Sequence, residues 1–249
     1  MIVAAHQPHL LPWLGYLDKL AKSDLFVVMD DLQFEKENFQ NRNRLKLNSG
    51  PHWLTVPLLR GKQTDRICDK RIDNAGRGGR HHWQHRMWRT LEVHYGKAPH
   101  WERYAPALED VFDRRWDLLV ELDLHMLELA RNWLRITVPI VRASSLGPGA
   151  GGLTGHKTER ILAMCRAVGA KTYLTGRGGS VGYLDTDAFA RAGVGLLWQR
   201  FHHPQYPQRY PGLGFSSHLG FLDLLLNCGP DAPAILWQAG EVITEGPVP

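Results

Sequence analysis

The chain has 249 residues and a formal net charge of +5, from 30 Lys and Arg against 25 Asp and Glu, with a pI near 9.2. Apolar residues make up 43% and charged residues 22%, which excludes disorder as the main state. No apolar run is long enough for a membrane-spanning helix, and Cys68, Cys165 and Cys228 are too few and too scattered for a disulfide framework or a CxxC metal site.

Along the chain, short β-branched or apolar runs predict strands at 2–5, 25–29, 53–58, 136–141, 171–175 and 194–198. Between the first two lies a helix whose Leu10, Leu14, Leu17 and Ala21 share a face, with Pro8 and Pro12 before or in its first turn, where a missing N–H costs little. A helical block follows from about 81 to 133, marked by the stripe Leu118, Leu122, Met126, Leu129 and Trp133. Further helices are expected over 155–168 and after Asp185, which reads as a helix cap. Helices alternating with buried-type strands predict an α/β fold with a largely parallel sheet of five to six strands, as one domain over 1–249 with a helical insertion at about 80–135.

Charge is unevenly placed. Residues 36–103 carry 15 basic and 6 acidic side chains, 104–141 carry 4 and 7, and 142–209 carry 9 and 3. Two basic segments around an acidic one favour an anionic partner such as a phosphate, a nucleotide, a phosphopantetheine arm or an acidic carrier protein. No Lys/Arg run or RNA-binding motif points to nucleic acid. The first twenty residues contain no secretory apolar core, so a cytoplasmic protein is expected.

Four segments have the composition of a site. His6, Gln7 and His9 follow the first strand, where open α/β sheets bind ligands, and the two imidazoles at i, i+3 suit an anion. Asp30, Asp31 and Gln33 end the second strand, close enough for a carboxylate to orient His6, take a proton or hold Mg²⁺. Asn41, Arg42 and Asn43 fall in what reads as a polar loop over 38–46, suited to a carbonyl or an anion. Gly176 and Tyr183 belong to a Gly-rich turn that matches neither the P-loop nor the dinucleotide fingerprint. Trp13 and Tyr16 on the first helix, and His203 in the His202-His203-Pro204 turn, complete the candidate binding residues. Cys165 lies within an amphipathic helix, a setting for packing rather than for a nucleophile. His81, His85 and His94 lack a third ligand of zinc-like spacing, and no metal site is expected.

The string HQPHLLPWLGYLDKLAKSDLFVVMDDLQF resembles the opening signature of the WbqC-like family, and QNRNRLK and WLTVPL resemble its next two segments. CRAVGAKTYLTG, GYLD, WQRFHHPQY and LDLLLNCG follow in the family's order, while His9 stands where the family often has Asn, and Gly220 where Ser is common. The resemblance implies small-molecule tailoring in polysaccharide or natural-product pathways. The expected activity is transfer of an acyl or aminoacyl group, from a carrier protein or another activated donor such as a phosphopantetheine-linked one, onto a small-molecule amine. In that expectation His6 is the general base, Asp31 orients it or the amine, and Asn41 and Arg42 hold the acyl carbonyl or a phosphate. The alternatives are nucleotidyl transfer or ATP-dependent ligation with Mg²⁺, using His6 and His9 on phosphates, and a non-catalytic module that docks a carrier protein.

Overall fold

A computed structural model describes residues 1–75, 82–147, 152–178, 182 and 184–244. At its centre is β1 (Ile2–His6), whose sequence IVAAH has no charged residue before its end. Both neighbours run parallel to it: β2 (Leu25–Val28) on one side and β6 (Thr172–Gly176) on the other. A strand flanked in this way is buried on both faces, which accounts for its unbroken apolar run. The sheet continues from β2 to β5 (Ile140–Arg142), and from β6 through β7 (Gly195–Phe201) to β8 (Gly240–Ile243). Among the described residues, only the β7–β8 pairing in this sheet is antiparallel.

Alternation along the strands divides the core. Ala4, Phe26, Val28 and Leu174 pack with α1 (Leu14–Ala21), α2 (His82–Tyr95), α3 (Trp101–Asp113) and α4 (Leu119–Trp133), and with α7 (Leu222–Cys228) and α8 (Ala232–Trp237). Val3, Ala5, Val27 and Tyr173 face the other way, against α5 (Lys157–Ala167) and α6 (Thr186–Arg191). The result is a layered α/β/α arrangement, with the period of 2 in the strands assigning each residue to one layer. Asp185 caps α6 as expected, accepting from the Ala188 N–H at 3.0 Å.

Two expectations are corrected. The strand read at 53–58 is β4 (Gly50–Thr55), and it lies outside the main sheet, paired antiparallel with β3 (Arg42–Leu47). The stretch read as a polar loop over 38–46 therefore contains a strand. Two of its polar residues are fully buried and serve as hydrogen-bonding struts: Asn43 and Lys46 are both 0% exposed, Asn43 donates to main-chain carbonyls, and Lys46 reaches the Gly214 carbonyl and Gln208. The helical stretch at 81–133 resolves into α2, α3 and α4, whose buried residues join the same core cluster as α1. No described helix is long and apolar enough to cross a membrane.

Candidate active site

The parallel strands appear across the sheet in the order β5-β2-β1-β6-β7. The chain leaves β1 towards β2 and β5, then returns on the opposite side of β1 for β6 and β7. The direction of winding reverses between β1 and β6, and a crevice opens beyond their carboxyl ends. A cavity of about 560 Å³ occupies this position. His6 and Gln7 line it from the end of β1, and Gly176 and Arg177 from the end of β6. Trp13, Tyr16 and Lys19 supply the α1 wall, Lys157 and Arg160 come from the first turn of α5, and Phe201 and His218 close another side. A Cβ at Gly15 would lie 2.2 Å from the Trp13 indole, so a glycine there lets the ring fold back over the helix.

The wall is cationic. Lys19, Lys157, Arg160 and Arg177 all line it, and none of its described lining residues is a carboxylate. His6, His9 and Tyr16 form a triangle of rings, with centroids 4.6 Å apart for His6–His9, 4.8 Å for His6–Tyr16 and 5.4 Å for His9–Tyr16. Burial first, then the charges of Lys19 and His9, hold the His6 imidazole well below its usual pKa. Its Nδ1 lies 3.1 Å from the Gln7 carbonyl, a contact made by the Nδ1–H tautomer, which keeps the Nε2 lone pair as proton acceptor. Burial and then Lys19 also lower His9, to about 3. Tyr16 is raised by burial and then by the charge of Asp123. Lys19, pushed down to about 8 by burial, donates to the Ala5 carbonyl at 2.9 Å.

The structure gathers some expected residues at the cavity and leaves others elsewhere. His6, Gln7, Trp13, Tyr16 and Gly176 line the wall. His9 lies behind His6, stacked on Phe39 at 5.4 Å. Tyr183, like His81, is outside the described residues. His203 stands one layer back, its Nε2 accepting from the backbone N–H of the lining residue His218 at 3.0 Å.

The Asp pair does not reach His6. Asp30 accepts from Arg142 Nε at 2.6 Å, from the Ser144 N–H at 2.9 Å and from the Ser144 hydroxyl at 2.8 Å. Asp31 is ion-paired with Arg160 and accepts from the Leu153 N–H at 2.9 Å. Both side chains are 0% exposed, so these carboxylates staple β2 to β5 and to the segment entering α5. Gln33 is exposed and bridges to Arg66. Asn41 donates to the Val56 carbonyl at 2.8 Å, and Arg42 reaches the Glu37 carbonyl and stacks 4.4 Å over Trp53. Asn43 donates to the carbonyls of Leu10 and Leu11 at 2.9 and 2.6 Å. None of these lines the cavity. Cys165 is fully buried, and burial pushes its thiol up to about 11, as suits a packing residue.

Sequence reasoning missed Lys19, Lys157, Arg160, Arg177 and Gln199, all of which line the cavity. Gln199 donates to the Gly15 carbonyl at 2.8 Å and to Asp18 at 2.5 Å, tying β7 to α1.

The profile described as the WbqC-like protein family matches residues 7–235 of the chain. A protein of Mycobacterium tuberculosis (strain ATCC 25618 / H37Rv) named "Uncharacterized protein Rv1507c" is 30% identical over 237 residues, covering 94% of this chain and 96% of that protein. No solved structure matches the chain.

Proposed function

We propose, from the premise that the chain belongs to the WbqC-like protein family, that it is a transferase forming an amide from an activated acyl or aminoacyl donor and an amine, with the switch-point cavity as its reaction site. The observation that carries this reading is His6: a neutral imidazole on the wall of a 560 Å³ cavity whose charged lining residues, among those described, are all cations. The amine nitrogen attacks the acyl carbonyl, forming the C–N bond. Its proton passes to Nε2 of His6. When the bond from the carbonyl carbon to the leaving thiolate breaks, the imidazolium returns that proton to sulfur. Lys19 discourages a resting proton on His6, so the ring starts each cycle as a base. The cationic wall suits an anionic donor arm, and an acyl or peptidyl carrier protein is the donor the basic surface favours.

The test is a mass-spectrometric assay of acyl-thioester donors, on a carrier protein and on coenzyme A, against a panel of amines. His6→Ala is expected to lower turnover by about 10²–10⁴. A variant within a few-fold of the parent overturns the assignment.

One observation favours a second reading, nucleotidyl transfer or ligation: the cavity occupies the crevice where doubly wound sheets take nucleotides, with His6 and His9 in ring contact. Thermal shift separates the two readings. Stabilisation by ATP or CTP with Mg²⁺ supports nucleotide chemistry, and stabilisation by acyl thioesters alone supports acyl transfer.

A further inference from the structure

Lys19 is 7% exposed and lines the cavity, yet it forms no ion pair with a carboxylate among the described residues. The carboxylate beside it in sequence, Asp18, is taken up by Lys22 and by Gln199. The ammonium's hydrogen bond to the Ala5 carbonyl brings no negative charge. Removing an ammonium from water is costly unless an anion or good hydrogen bonds offset it. Here burial lowers the Lys19 pKa to about 8, with no carboxylate acting against the shift. Lys157 and Arg177 line the same cavity from exposed positions. The first turn of α5 contributes to that wall too, adding the partial positive charge of a helix start.

We propose that the cavity contains a phosphate subsite, in which Lys19 at depth and Lys157 and Arg177 at the mouth hold a multiply charged phosphate group of the ligand. Lysine binds phosphate as a point charge, and cations at two depths suit a di- or polyanion better than a single carboxylate. The subsite deepens the transferase reading and takes its role from it: it places a phosphate of the donor or acceptor beside His6. Its existence is testable without turnover.

The probe is inorganic pyrophosphate, titrated by calorimetry at constant ionic strength, with acetate as the carboxylate arm. Pyrophosphate is expected to bind and acetate to do no better than chloride. Lys19→Met is expected to weaken pyrophosphate about tenfold or more and Arg177→Gln by about two- to fivefold. Lys171→Gln, at the opposite end of β6 and exposed, is expected to change nothing. Equal binding of acetate, or equal loss in Lys171→Gln, overturns the subsite. If Lys19→Met fails to fold by circular dichroism, Arg177→Gln decides: unchanged affinity overturns the proposal and weakened affinity supports it. Pyrophosphate binding by a protein inactive towards every donor leaves the subsite standing and the transferase reading fallen. Transfer activity without pyrophosphate binding does the reverse.

Discussion

Two neighbouring strands of one sheet end in the same direction and differ in what their last residues do. Beyond β1, His6 and Gln7 open onto a cavity walled by cations. Beyond β2, Asp30 and Asp31 are sealed against Arg142, Ser144, Arg160 and Leu153. From residue types alone the Asp pair is as chemical as the His pair. At Asp30 the difference is saturation, since a carboxylate holding three internal donors has little left for a ligand; at Asp31 it is closure, the side chain being fully buried and ion-paired with Arg160, whereas a neutral imidazole at an opening keeps a lone pair. Strand ends in an α/β sheet thus divide between reaction and closure, and the partners already in hand tell them apart.

The sharpest way to break this comparison is at the closed end. Asp31→Ala leaves Arg160, whose side chain is 13% exposed, without its counter-charge. Breaking a buried pair from one side costs about 3–5 kcal/mol, read as a lower urea midpoint at unchanged slope. Little loss of stability, together with loss of turnover, would make Asp31 a reacting group and erase the distinction.

At the open end the leverage is acid. His9 titrates near 3 in the fold against about 6.5 when unfolded, so the unfolded chain takes up a proton that the folded ring refuses. Stability therefore falls as pH drops below about 6.5, continuing to about 3, and by pH 4 this one residue accounts for about 3 kcal/mol. His9→Asn removes that titration, and its urea midpoint is expected to fall less steeply between pH 6.5 and 4 than the parent's. Parallel curves for the two proteins would show that His9 is not held neutral. His6, lowered by the same burial and by Lys19, maintains part of the slope in both.

A smaller effect is expected where the backbone behind the cavity is braced. Asn43 donates to the Leu10 and Leu11 carbonyls in the segment leading from β1 to Trp13, where Leu11 sits at a φ of 50°. Asn43→Ala leaves two buried acceptors short of a donor, costing about 2 kcal/mol in urea unfolding. An unchanged midpoint with weakened ligand binding would place Asn43 in the recognition surface.

What the sequence disclosed follows the same division. The apolar runs of β1, β2 and β6, and His6 at a strand end, were legible because burial on two faces writes itself as continuous hydrophobicity. The roles of Asp30 and Asp31 were hidden because their partners lie more than a hundred residues away. Lys19 was hidden for a different reason. All eight residues of α1 are buried, charged ones included, so the helix has no solvent face for a periodicity argument to find. In β3, the alternation of RNRLKL is masked because Asn43 and Lys46 occupy buried positions. β8, four residues at the sheet edge after α8, is too short and too exposed to stand out.

Arg160 joins the two regions, and the finest test runs through it. One side of its guanidinium holds Asp31 and the Leu153 carbonyl, while the residue also lines the cavity. Arg160→Lys retains the charge but not the planar fork, so it is expected to lose one hydrogen bond of the clasp and about 1 kcal/mol of stability. Combined with Asp31→Ala the two losses should not add, because both act on one ion pair; the coupling is expected to exceed about 0.5 kcal/mol in a double-mutant cycle. If closure at β2 positions the cationic wall beside β1, Arg160→Lys also weakens pyrophosphate by about two- to threefold despite its unchanged charge. Additive stabilities with unaltered affinity would mean that the sealed end and the open end are independent, and that the sheet rather than the clasp shapes the cavity.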